Sequence, residues 1–167
     1  MRLIDPLLME FDREASTTRK LLERLPDGKL SWAPHPKSYT LGRLAKHLAT
    51  LPAWIAATLP ADGFDLGSAP PSGEPPKTTA GILEAFDENV AKAKVALAQL
   101  DDARAAAAWT LSMNGKTLVQ MPRIAFVRSL LLNHSVHHRG QLSVYLRLLD
   151  VPVPPMYGPT ADENPFR

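Results

Sequence analysis

Apolar residues recur every three or four positions along four stretches of the chain, the spacing of an amphipathic helix. The first runs from about Ile4 to Leu25, with Leu8, Phe11, Ala15, Leu22 and Leu25 on one stripe. Pro26, Gly28, Pro34 and Pro36 then interrupt it. The second begins near Thr40, a good N-cap, and reaches about Leu59. Pro52 lies inside it and predicts a kink or a local break. The third runs from about Thr79 to Leu100, with Leu83, Phe86, Val90, Ala93 and Leu97 as its stripe. The fourth runs from about Pro122, a favourable first-turn proline, to Leu149.

The connections differ in kind. "PADGFDLGSAPPSGEPPKTT", residues 60–79, reads as a long loop. Loops of that length are uncommon and often functional, and a lid is the role expected here. "WTLSMNGKTLVQ" places Asn114-Gly115 between two β-prone runs, a hairpin signal. The tail "DVPVPPMYGPTADENPFR" is irregular and expected to lie across the surface. Four long amphipathic helices in 167 residues predict one domain, 1–167, of the all-α class. Its expected architecture is a four-helix bundle with a short hairpin or irregular segment before the last helix. The long second-to-third connection leaves room for a crossover.

Composition acts mainly by exclusion. No apolar run approaches the roughly 20 residues needed to span a bilayer. The opening "MRLIDPLLMEFDRE" meets acidic residues too early for a signal peptide, so a cytoplasmic location is expected. The absence of cysteine removes disulfides, thiolate ligands and a cysteine nucleophile. The formal charge of +2 is spread among acids without a basic run. Neither nucleic acid nor membrane is therefore an expected partner, which leaves a small-molecule substrate.

Three of the five histidines fall within "NHSVHHRGQ", residues 133–141. At 100° per residue, Val127, Leu131, His134, His138, Leu142, Tyr145 and Leu149 share one stripe. His134 and His138 occupy places where core leucines would otherwise sit. Their i, i+4 spacing puts two imidazoles one turn apart on one face, as paired zinc ligands require. His137 points about 100° away, toward the edge of the interface or contact with the ligand rings. On the second helix His47 is flanked by Leu44, Leu51, Trp54 and Ile55 on the same apolar face. A lone histidine there is commonly a hydrogen-bonded core residue, and for His47 by itself that reading stands beside the ligand one. For three together, a shared ion removes the cost of burying unpartnered rings, about 1–3 kcal/mol each. Three neutral imidazoles without thiolate suit Zn²⁺, Ni²⁺, Fe²⁺, Co²⁺ or Cu²⁺ better than Mg²⁺ or Ca²⁺. Three protein ligands also leave a coordination position open, the pattern of a catalytic rather than structural site.

Around this trio, Gln141 lies near the stripe's edge and is placed to orient a ligand or substrate, or to be a half-buried amide. Trp54 is a pocket candidate, although an aromatic at helical spacing more often packs in a core. Arg139 projects away from the metal face and is expected in a structural ion pair. Gly140 is expected to let a neighbouring helix approach. His35, between two prolines, is expected at the surface. Glu10, Asp12 and Asp62 are the acids that could act as general base if the fold brings them near.

"LGRLAKHLATLPAW" followed about ninety residues later by "NHSVHHRGQL" resembles the DinB/YfiT-like superfamily. "LSWAPHPKSYTLGRLAKHL" and the tail "LLDVPVPPMYG" are similar to the same family, so the likeness covers nearly the whole chain. Its most specific part is H-x-x-x-H-R-G-Q with a distant H-L. The resemblance implies an up-down-down-up four-helix bundle, often dimeric. It also implies a divalent metal, zinc or nickel before iron or cobalt, held by His47, His134 and His138. Characterised members include transferases and isomerases that use low-molecular-weight thiols such as bacillithiol or mycothiol. A thiol-dependent S-transferase or isomerase is therefore the leading expectation. The competing ones are a metal-dependent hydrolase and a non-catalytic metal-binding bundle associated with stress. Leu132, Val136, Val144 and Leu146, off the main stripe, are the expected homodimer contact.

Overall fold

The computed structural model describes residues 1–70 and 73–166. Four long helical runs carry the apolar stripes. Helix α1 is Asp5–Leu22, α2 is Leu41–Thr58 and α3 is Thr79–Ala98. A short helix α4, Asp102–Ala106, follows α3. The last run is continuous through α5 (Arg123–Val127), a π-helical segment (Arg128–Asn133) and α6 (His134–Leu148). Side-chain caps set three of the starts. Thr40 accepts from Arg43 N at 3.2 Å, Thr78 from Gly81 N at 3.2 Å, and Asp101 from Arg104 N at 2.7 Å. Helix α2 continues through Pro52 without the expected break; Pro52 itself is buried. Packing of the whole helix outweighs the single backbone bond that proline cannot donate.

The chain is not a purely all-α four-helix bundle. It carries a three-stranded mixed sheet in the order β1-β2-β3, with β1 Gly63–Asp65, β2 Ala108–Met113 and β3 Lys116–Pro122. The β2–β3 hairpin turns at Asn114 and Gly115, with φ of 51° and 78°. This is the Asn-Gly turn the sequence signals. The new element is β1, which pairs parallel with β2 from Gly63↔Thr110 to Asp65↔Ser112. It lies inside the stretch expected to be a loop, and three residues are too few to show an alternating pattern. Its partner lies almost fifty residues away, so no local signal exists. A Cβ at position 63 would lie 2.5 Å from Thr110 O, so glycine is what lets the two backbones meet. Of the segment 60–78 expected as a lid, residues 71 and 72 lie outside the described residues.

Asp65 ties this strand to the hairpin. Its carboxylate accepts from the backbone N–H of Gly67 (2.7 Å), Asn114 (2.9 Å) and Gly115 (2.7 Å), and from Ser112 Oγ (3.0 Å). Hydrogen bonds from the Gly115 and Gly67 amides, in that order, hold its carboxyl below the usual range. At the other end of β3, Arg123 is buried. It donates to Arg104 O (2.7 Å), Ala61 O (2.9 Å) and Asp62 (2.6 Å).

The apolar interior falls into two clusters. One gathers Leu22, Leu44, Leu48, Phe86, Leu142 and Leu146. The other gathers Phe11, Ile55, Leu97, Trp109, Phe126 and Leu131. Trp109 stacks on Phe126 with centroids 3.6 Å apart. On the last run the first cluster begins at Leu142 and the second ends at Leu132, so His134 and His138 fall between them. Across from them, Glu14 on α1 sits between Phe11 of one cluster and Ala15 of the other. Arg139 and Glu14 are both buried and form an ion pair. Arg139 Nη1 also donates to Thr18 Oγ1 and Glu14 O, each at 3.1 Å. Tyr157 donates its hydroxyl to Glu14 at 2.7 Å and accepts from Arg139. The C-terminal tail is thereby fastened to α1 and α6.

Of the four residues expected at a dimer contact, Val136 and Val144 are exposed, whereas Leu132 and Leu146 are buried in the two clusters. Leu132 lies in the π-helical segment, where the turn is wider than 100° spacing assumes. Among the described residues no helix approaches Gly140, where an added Cβ would meet nothing within 4 Å. His35 is exposed and its Nδ1 accepts from Lys37 N at 3.1 Å. Among the described residues, no helix is long and apolar enough to cross a membrane.

Candidate metal centre

Helices α2 and α6 bring His47, His134 and His138 together. One ring nitrogen from each lies within 4.8 Å of the other two, and all three residues are half-buried. His47 Nε2 is 3.4 Å from His134 Nε2, and His138 Nε2 is 2.7 Å from His134 Nε2. Nitrogens sharing one tetrahedral ion at about 2.0–2.1 Å sit roughly 3.3 Å apart. The first pair meets that separation, and the second pair is closer than it.

Gln141 contacts one nitrogen of His138 and leaves the other for a ligand role. Its Oε1 lies 2.7 Å from His138 Nδ1. With Nδ1–H donating to that oxygen, the lone pair sits on Nε2 and points at the other two rings. Gln141 is itself exposed and one helical turn from His138, so the contact is local to α6. The π-helical segment ends at Asn133, directly before His134. A π-turn shifts the phase of the residues that follow, His134 among them.

Electrostatics favour the neutral, ligating form of all three rings. Burial first, then His138, His134 and Arg43, push His47 down to about 4. Burial first, then His138 and His137, lower His134. Burial also lowers His138, and the Gln141 contact partly opposes it. Among the described residues no carboxylate joins the group. The donor set is therefore three uncharged imidazoles, and it fits a divalent transition ion.

The other candidate residues lie around or apart from this point. His137 is exposed, with its ring centroid 4.9 Å from that of His138. Trp54 packs edge-on to Phe64 at 5.7 Å and against Phe126 at 5.6 Å, inside the second apolar cluster. The acids considered as bases are engaged elsewhere: Glu10 with Arg128, Asp12 with Lys94 and Asp62 with Arg123.

Two cavities reach the centre. One, of about 490 Å³, is bordered by His47 with Tyr39, Arg43, Lys46 and Thr50. The other, of about 300 Å³, is bordered by His138 with Tyr39, Gln141 and Tyr145. Tyr39 borders both, with its ring edge-on to His47 at 6.5 Å. Tyr39, Arg43 and Lys46 were not among the residues singled out from the sequence. The available signal was their position: Arg43 lies one turn before His47 on the same helix face, with Lys46 at the edge of that face.

The DinB family profile matches residues 3–164. The chain belongs to the DinB family. Among solved structures, this DinB chain is similar to a DinB-like protein from Bacillus cereus ATCC 10987. They share 26% identity and a TM-score of 0.70, over 90% of this chain and 95% of that one. A DinB-like protein from Bacillus subtilis, YjoA, shares its fold with a TM-score of 0.72 at 20% identity, over 92% and 98% of the two chains. The uncharacterized protein YrdA of Bacillus subtilis strain 168 is 29% identical over 161 residues, 96% of this chain and 91% of that protein.

Proposed function

We propose that this DinB protein is a metal-dependent enzyme acting on a small molecule. His47, His134 and His138 hold a divalent transition ion, zinc or nickel before iron or cobalt. The observation that carries the reading is the convergence of three neutral imidazoles from two helices, without a carboxylate, beside two cavities. Such an ion supplies Lewis acidity, which favours the thiolate form of a low-molecular-weight thiol at neutral pH. The protein's own work is positional. Gln141 holds His138 in the ligating tautomer. Burial keeps the three rings unprotonated. The two cavities, sharing Tyr39, offer separate places for a thiol and an electrophilic acceptor. The reaction that fits is S-transfer or thiol-assisted isomerisation. In transfer, sulfur bonds to the acceptor carbon as the leaving group departs with its electron pair.

Metal analysis tests the first half of this reading. The purified protein should carry about one transition ion per chain, and His134→Ala should lose it; equal metal in both proteins refutes the ligand assignment. A screen of thiols with electrophilic acceptors tests the second half. Turnover that needs metal but no thiol would favour hydrolysis, and none above the uncatalysed rate would favour a non-catalytic bundle. Self-association is proposed to use the exposed Val136, Val144 and Leu148 of α6.

A further inference from the structure

The cavity beside His47 is lined by two cations, Arg43 and Lys46, and one carboxylate, Glu74. Arg43, Lys46, His47 and Thr50 stand at i, i+3, i+4 and i+7, so they line one broad face of α2. The Arg43 guanidinium carbon lies 4.0 Å from the Tyr39 ring centroid. Stacking steadies the guanidinium and leaves its N–H edge open to a ligand. Lys46 Nζ donates to Gly73 O, which leaves further donors for a second partner. Among the described residues neither cation is in an ion pair. Two like charges three residues apart on a helix repel each other.

The neighbouring metal group adds to the imbalance. Among the described residues no carboxylate joins the three neutral rings, so they would leave a bound divalent ion's charge uncompensated. Glu74 also borders this cavity and offsets only one of the positive charges. Among the described residues the recess carries a net positive charge, which a negatively charged ligand would offset.

We propose that this cavity binds the carboxylate of a small acidic substrate, held by Arg43 and Lys46 so that its reactive end reaches the three-histidine centre. Arg43 supplies the planar fork and Lys46 the point charge. Tyr39 positions Arg43 and borders both cavities. The inference rests on the thiol-activating reading of the centre only for what happens at the reactive end.

Calorimetric titration with succinate and with neutral succinamide tests it on the purified protein. Wild type should bind succinate and not succinamide. Arg43→Gln/Lys46→Gln should weaken succinate about tenfold or more, the usual effect of removing charged hydrogen-bond donors. Glu74→Gln should tighten it. Melting temperature and metal content should stay unchanged in both variants. Equal binding of the acid and the amide, no succinate binding, or a double variant that binds as wild type does would overturn the proposal. The metal reading is separated by 2-mercaptosuccinate, which should bind more tightly than succinate in wild type but not in His134→Ala. If that increment is missing while the preference for succinate holds, the thiol reading falls and the acid site stands.

Discussion

A histidine is useful as a ligand only while its lone pair is free, and here three residues' surroundings keep it free. Burial and mutual repulsion disfavour the imidazolium at His47, His134 and His138, so each titrates below the ordinary 6.5. The consequence has a sign. Below 6.5 an unfolded chain takes up protons on these rings that the folded chain refuses, so the metal-free fold loses stability as pH falls from there toward about 4. Above 6.5 the rings are neutral in both states and contribute no pH dependence. Metal affinity follows the folded values, because protons compete with the ion only once the folded rings begin to titrate. Competition with a chelator should therefore give a level affinity through neutral pH, with the decline beginning only below 6.5. A decline that starts above 6.5 would show rings more basic than this geometry allows.

At the scale of elements, the sheet is the part that redefines the fold, and its parallel strand depends on one glycine. Gly63→Val would drive a side chain into Thr110 O, where even a Cβ would lie 2.5 Å away. Strand β1 must then separate from β2, at a cost of about 1–3 kcal/mol. Thermal unfolding should show that loss with metal binding intact, because the three histidines lie on other elements. The same element shows where the sequence was legible and where it was not. Apolar spacing located the four long helical runs within a few residues, and Thr40 and the Asn114-Gly115 turn marked their positions directly. Strand β1 left no such trace, since a short strand paired to distant residues has neither period nor turn. Helix α4 is a single capped turn and a half, too short for periodicity. The histidine trio was readable because i, i+4 spacing on one helix and an apolar face on another are both local facts. The cations of the cavity were not, since an arginine and a lysine on a helix look like ordinary surface until the fold brings a recess beside them.

Across the whole molecule, a polar layer divides the two apolar clusters, and its two halves face opposite ways. The histidines of α6 look toward α2, while Arg139, the residue after His138, looks toward α1 and pairs with Glu14. The ion pair thus ties α6 to α1 on the side away from the three histidines, and Tyr157 adds the tail to the same anchor. Burying two charges contributes little net stability by itself, but breaking the pair is costly because it strands the partner. Arg139→Met should cost about 3–5 kcal/mol, leaving Glu14 without its cation. Removing both charges with Arg139→Met/Glu14→Leu should recover most of that loss, since two apolar side chains of similar volume can fill the layer. Denaturant unfolding of the four proteins in this cycle measures the coupling, and metal titration of the double variant separates two roles. Recovered stability with weakened metal binding would show that the pair orients α6 for the histidines. Recovered stability with unchanged metal binding would show that the surrounding leucines alone hold that orientation.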